Sequence, residues 1–496
     1  MSFTPEIPEL QNLPDILLVL SATIVGCSRT ITLPSYHMAN RKPRTILESN
    51  QLTVTKTPPL IDCSVDVSRP KFMPDEEIAK LTLHFSDLWN YTSDAPPPIG
   101  RTYTPQQQRE NEQKIEGLLL EADRQSRSRN GIESHIGRLR DSVRDLVLES
   151  VDVERREQIA DMLIAFSNAG DEFVRRTKEF DESLRFDGIF QALRNLWIIN
   201  SMQEAFGLPI CVNPSGLAYS LLYTYTDNYL DAGDISRQEK EDFGRIFGRR
   251  LAGFDVPEDS PLISKISALV RLIETEYHRT LFPGVFDSLL AIHHAQRKSL
   301  RQRGVTGNDS QSDILSISVE KGGASVIADA YVAKGRLSSV EKRFAFGYGV
   351  FLQFIDDLQD VREDLREGSE TLFTRAAKRG TMDSITNRLF RYLREILFSA
   401  TSLNGSRANA LMELILQGSL GLILESIALN PGLFSVEYVK AAELFSPLGF
   451  ASIRRLHTQR APVERNFNLV AAGLDSETLK QMTLAATRKT DGEFAG

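Results

Sequence analysis

The stretch FGYGVFLQFIDDLQDVREDLREG, residues 346–368, sets acids at helical intervals just after an apolar run. Asp356, Asp360 and Asp364 fall at i, i+4 and i+8, so one helix face would carry all three, a turn apart. Gln353 lies one turn earlier on nearly the same face, and Asp357 is adjacent. Like charges at this spacing cost an isolated helix roughly a few tenths of a kcal/mol per pair, so such a stripe gains from a bound cation. Hard oxygen ligands on a rigid element are what Mg²⁺ prefers, typically a carboxylate or two beside substrate phosphates. A second acidic pair, Asp227 and Asp231, sits again at i, i+4 in SLLYTYTDNYLDAGD, residues 220–234, with Asp234 following near the helix end. Carboxylates at a helix C-terminus oppose the dipole, which again favours a compensating cation. The bland alternative is a solvated acidic face, helped by Arg362 and Arg366. Against it, the acids interrupt the most apolar part of their segment, and two such pairs stand about 130 residues apart.

Helices must position these acids. Beyond Thr104 and Pro105, an N-cap and a first-turn proline, periodicity predicts helices over 105–128, 133–149, 154–180, 187–206, 215–232, 237–252, 260–281 and 284–303. Further helices are predicted over 311–334, 337–366, 370–379, 382–401 and 406–429, with no period-two strand pattern from 105 to 430. Prolines recur through residues 1–100, ending in the APPPIG run, and periodicity there is weak, so this part reads as an irregular N-terminal extension. The expected organisation is that extension, a helical region at 101–185, a catalytic helical domain at 186–460 and a polar tail at 461–496. The fold class is all-α, a large helical bundle of the kind that builds metal and ligand sites between facing helices.

The 496 residues are 41% hydrophobic and 25% charged, enough for a sizeable core in a soluble protein. The net charge of −8 counts against a nucleic-acid partner. It permits an anionic substrate where metal ions stand between carboxylate and phosphate. Cys27, Cys63 and Cys211 match no zinc or disulfide framework, so a reducing, cytoplasmic setting is expected. The apolar run from Leu13 to Val25 is short and carries Pro14 and Asp15; with no basic region before it, it predicts neither a membrane span nor a signal peptide. No P-loop, G-x-S-x-G, H-E-x-x-H, paired C-x-x-C or dinucleotide fingerprint is present.

Asp227–Asp231 and FLQFIDDLQD resemble the two aspartate-rich motifs of the isoprenoid synthase superfamily, which spans prenyl diphosphate synthases, squalene/phytoene synthases and class I terpene synthases. GVFLQFIDDLQD is similar to the second motif of prenyl diphosphate synthases, and LQ…DVRED to that of phytoene and squalene synthases, which would place metal contacts at Asp360 and Asp364. SVEKGGASVIADAYVAKG, residues 318–335, resembles the helix before that motif, with Lys321 suited to bind diphosphate. The resemblance spans roughly residues 187–400. The first motif lacks the doubled aspartate and the Arg-Arg pair of chain-elongating synthases, and the second lacks the asparagine–serine–glutamate form of many cyclases. These departures count against elongation and favour a noncanonical class I terpene synthase.

The resemblance implies Mg²⁺, three ions, held by Asp227, Asp231, Asp356, Asp357, Asp360 and Asp364 against a linear prenyl diphosphate. The ions would stabilise the departing diphosphate as the allylic C–O bond breaks. Lys321, Arg297, Lys298, Arg301 and Arg362 are candidates for the rest of the clamp, and Gln353 for a substrate contact. The carbocation needs a dry pocket, where aromatic faces contribute ~0.5–2 kcal/mol each. Tyr223, Phe346, Phe351, Phe354 and the more distant Trp197 could line it, though such residues are more often plain core. His293 and His294 could act as bases, though diphosphate itself can take the proton. Two other readings stay open: a prenyltransferase, elongating or head-to-head, and a helical scaffold whose acidic stripes are solvated.

Overall fold

The computed structural model describes residues 74–97, 100–126, 144, 148, 151–232, 234–299, 311–400, 403, 405 and 407–457, and the regular elements among them are helical. They are α1 (Pro74–Tyr91), α2 (Pro105–Ser126), α3 (Arg156–Phe180), α4 (Phe186–Ala205), α5 (Pro214–Asp231), α6 (Arg237–Leu251), α7 (Pro261–Glu276) and α8 (Pro283–Ser299). There follow α9 (Gln311–Lys334), α10 (Ser339–Gln359), α11 (Val361–Glu367), α12 (Leu372–Arg379), α13 (Asp383–Ser399), α14 (Ala408–Leu429) and α15 (Val436–Glu443). The helix expected over 133–149 lies, save for residues 144 and 148, outside the described residues, as do the first 73 residues and the tail after 457.

Local chemistry fixes many of these ends. Ser236 with Glu239 and Ser338 with Glu341 form capping boxes that open α6 and α10. Pro214 and Pro261 stand in the first turns of α5 and α7, where a missing N–H costs nothing. Gly335 (φ 78°) makes the tight turn between α9 and α10.

Two expectations are corrected. Pro74–Tyr91 forms an 18-residue helix where the recurring prolines predict irregular chain. Its Phe85 stacks on Phe346 of α10 at 5.5 Å, and its Trp89 packs on Phe354 at 4.4 Å, so tertiary burial outweighs a weak local signal. The single helix expected over 337–366 divides at Asp360, whose backbone (φ −89°, ψ 6°) leaves the helical region. Hydrogen bonds from Asp360 N to Asp356 O and from Asp364 N to Asp360 O, both 2.9 Å, hold the joint.

α9 lies at the centre of the bundle, packed against α4, α8, α10 and α1. α10 runs opposite to it so closely that a side chain at Gly349 would collide with the carbonyl of Gly322. α8 also runs opposite, with Gly284 against Tyr331 at one end and Lys298 Nζ 2.5 Å from Glu320 at the other. So does α5: Asn213 Nδ2 donates to Val332 O at 2.8 Å, and Tyr219 Oη to Ser325 O at 3.5 Å. α4 runs parallel to α9, with Asn195 Nδ2 donating to Asp329 Oδ1 at 3.0 Å and Phe206 beneath Lys334. Among the described residues α14 is the helix apolar and long enough to cross a membrane; 67% of its apolar window is buried inside the fold.

Candidate functional site

This arrangement gathers the chemistry at one end of the bundle. The C-terminal ends of α5, α8 and α10 meet there with the N-terminal parts of α4 and α9. Counting 1.5 Å per residue from the contacts above, Tyr223, Lys321 and Gln353 stand near one level, and Asp227 and Asp356 lie about one turn further out. Spacing alone puts each pair on a helix; the antiparallel packing against α9 puts both pairs at the same end.

Within α10 the structure selects a different acid from the expected stripe. Asp357 is 6% exposed, whereas Asp356, Asp360 and Asp364 are half-buried. Gln353 shares the face of Asp357, four residues on, and donates Nε2 to its Oδ1 at 2.8 Å. Its Oδ2 is buried with no hydrogen-bond partner among the described residues. Burial first, then repulsion from Asp356 and Asp364, pushes the carboxyl up to about 7 against the opposing pull of Gln353 and Lys321. Lys321 is half-buried on α9 and lies within electrostatic reach of Asp357.

Asp227 is half-buried on α5 and accepts from Gln191 Nε2 of α4 at 2.8 Å. Gln191 escapes the sequence reading, because a glutamine on an apolar helix carries no motif. Asp231 ends α5, but its side chain lies outside the described residues, as does Arg301 entirely; Asp234 is exposed.

The expected clamp is only partly assembled. Lys298 is paired with Glu320, the residue before Lys321. Arg297 is exposed and turned along Gly244 of α6. Arg362 is exposed on α11, and Arg366 pairs with Glu363 at 3.0 Å. The aromatic expectations are corrected in part. Phe346 and Phe354 point to Phe85 and Trp89 of α1 and are core; Phe351 is fully buried, and Trp197 packs against the core. Tyr223 does line a pocket between α5, α6 and α8, with Tyr219, Thr226, Phe247, His293 and Gln296. That pocket measures about 20 Å³, close to the space one water molecule needs, so a prenyl chain would enter only as its walls part.

Among the described residues no three His, Cys, Asp or Glu side chains already converge as a metal cage. The donor set nevertheless fits a hard divalent cation. It consists of carboxylate and amide oxygens, and the buried Asp357 Oδ2 lacks a donor that a cation would replace. No protein-family model matches the sequence, and no curated protein or solved structure matches it either.

Proposed function

We propose that this chain is a class I terpene synthase of the isoprenoid synthase superfamily, dependent on Mg²⁺, that ionises a linear prenyl diphosphate. One observation carries the reading. Lys321 of α9, flanked by α5 and α10, stands at the bundle end that holds both aspartate motifs and acts electrostatically on Asp357. Asp227, Asp231, Asp356, Asp357, Asp360 and Asp364 would hold the metal. When bound, it would supply positive charge to the diphosphate oxygens as the leaving group departs. Lys321 adds a fixed cation for the diphosphate, and Gln353 and Gln191 hold Asp357 and Asp227 in place by their amide donations. The apolar walls of α5, α6 and α8 would keep bulk water from the carbocation.

The test is incubation with geranyl, farnesyl or geranylgeranyl diphosphate and Mg²⁺, followed by gas chromatography and measurement of released diphosphate. A terpene product from one substrate alone supports the reading. Dependence on isopentenyl diphosphate turns it to a prenyltransferase. A protein that Mg²⁺ and inorganic diphosphate together fail to stabilise, and that turns over none of the panel, is a helical scaffold.

A further inference from the structure

A pocket of about 20 Å³ holds one water molecule, so one of its walls must move before a prenyl chain can enter. The three walls differ in what backs them. α5 and α8 lie against the central α9. α5 is also tied to α4 through Gln191 and Asp227 at 2.8 Å, and α8 to α9 through Lys298 and Glu320 at 2.5 Å. α6 packs on α7 and α8, one layer further out, and buries five residues: Phe243, Gly244, Phe247, Arg250 and Leu251.

The two ends of α6 are held unequally. At the C-terminal end the Arg250 guanidinium grips Glu274 of α7 with both Nη atoms, at 2.9 and 2.6 Å. Arg279 donates to the same carboxylate at 2.9 Å and to Leu251 O at 2.8 Å, and lies 3.9 Å from the ring centre of Phe286 on α8. Gly253 (φ 90°) turns the chain against that guanidinium. Parting these charges would leave some of them buried and unpaired, so this end stays in place. Toward the N-terminus the side-chain bonds close on α6 itself. Ser236 pairs with Glu239, Arg237 with Glu241 at 2.9 Å, Gln238 with Asp242 at 3.0 Å, and Arg245 with Asp242. Facing α8 are two glycines, Gly244 along the Arg297 stem and Gly248 against the His293 ring, which offer no side chain to interlock with that helix. This half is fastened by a hydrogen bond between the His293 ring and the Gly244 backbone, and by Phe243 against Tyr229 of α5, centroids 4.5 Å apart. Phe247 and Leu251 are themselves pocket lining. A chain that enters covers the apolar area they give up, so the ligand offsets the opening it needs.

Resting on the proposed function, we infer that α6 is the moving wall: it swings outward about the Arg250–Glu274–Arg279 joint, admits the prenyl chain between α5 and α8, and closes with Phe247 and Leu251 against it. The swing keeps the internal hydrogen bonds of α6, so the helix moves as one rod. Its free half lies beside the C-terminal part of α8, where Gly244 meets Arg297. The mouth therefore opens at the aspartate-bearing end, where the diphosphate would be held.

Thiol labelling of the full chain tests this, in a background with Cys27, Cys63 and Cys211 changed to Ser. Leu222→Cys puts a thiol in the pocket; Leu221→Cys puts one on the same helix, equally buried, outside it. Without denaturant the first should react with a disulfide reagent about 100-fold faster than the second. Equal rates would mean that the pocket opens only when the protein unfolds, and would overturn the inference. Phe243→Ala loosens the free half and should widen the ratio by roughly another tenfold. A ratio it leaves unchanged rules out α6 as the wall that moves. Should the leucine variants fail to fold, Thr226→Cys, in the pocket, and Ser220→Cys, beside Asn195, repeat the comparison with less change of volume. The labelling is read without substrate and so stands apart from catalysis. A wall that moves in a protein releasing no diphosphate from any prenyl substrate overturns the proposed function and not the motion of α6.

Discussion

Gln191 of α4 donates its amide to Oδ2 of Asp227 at 2.8 Å, across the seam between two antiparallel helices. The bond turns a carboxylate at the end of α5 toward the interior and holds it there. Gln191→Leu keeps the volume and removes the donor. The concentration of Mg²⁺ needed for half-maximal diphosphate release should rise by about 10–100-fold, the range found for groups that orient a metal ligand. The melting temperature should move little, because Asp227 stays half-exposed to solvent. A Mg²⁺ titration of the variant beside the wild type checks it, and an unchanged curve would mean that Asp227 carries no metal.

Asp357 illustrates a side chain held against its own preference. It is buried, it lacks a partner for Oδ2, and Asp356 and Asp364 repel its charge. Asp357→Asn removes the buried charge at constant shape. In metal-free buffer the variant should be more stable than the wild type by about 1–3 kcal/mol. Mg²⁺ with diphosphate should raise the melting temperature of the wild type and leave the variant unmoved, and turnover should vanish. Denaturant titration with and without the metal measures both effects.

The all-helical character was legible because apolar periodicity survives in single helices such as α13, where Leu389, Phe390, Leu393, Ile396 and Leu397 share the buried face, and because end signals such as the Ser338–Glu341 capping box of α10 mark others. The spacing of Asp356, Asp360 and Asp364 was legible too. Which acid turns inward was not, since that depends on α9 and α10 touching at Gly322 and Gly349, a contact between distant segments. A face count from Gln353 would have pointed to Asp357 rather than Asp356. His293 left a readable trace: Leu289, Ile292, His293 and Gln296 form one helical stripe, which His294 leaves. α1 left one as well in Ile78, Thr82, Phe85 and Trp89, masked by the prolines around it. Gln191 left none, because its role exists only once α4 and α5 have packed.

The approach of α9 and α10 at Gly322 and Gly349 should tolerate no added atoms. Gly349→Ala would drive a methyl group into the Gly322 carbonyl and Val326, and neither backbone can yield without moving a helix. A loss of at least about 1–3 kcal/mol is expected. Because the crossing sets the level of Lys321 relative to Gln353 and Asp357, activity should fall further than stability explains. Gly117→Ala, at a position with nothing nearby, is the matched control and should be neutral or slightly stabilising. Urea melts and turnover rates of the two variants separate the effects.

The C-terminal part of α5 is anchored by Asp181, which Tyr225 reaches two residues before Asp227, and this anchor should govern the acid limb of stability. Asp181 accepts from Tyr225 Oη and Lys265 Nζ, each at 2.5 Å, and from Ser183 Oγ at 2.6 Å. Burial raises its pKa, but the bonds from Lys265, Ser183 and Tyr225 outweigh that and bring it to about 2, against 3.8 for a free side chain. A carboxyl depressed in the folded state stabilises the fold above its unfolded value, and that stability is lost as pH falls. The loss should run from about pH 4 down to pH 2. Full weight for the shift is about 2 kcal/mol, and the one-third exposure of Lys265 brings the expectation nearer 1 kcal/mol. Lys265→Met should therefore lower stability at neutral pH by about that amount and flatten the decline between pH 4 and 2. Thermal unfolding of both proteins across that range decides it: parallel curves would mean that the ion pair contributes nothing, and that α5 is held by Tyr225 and its apolar face alone.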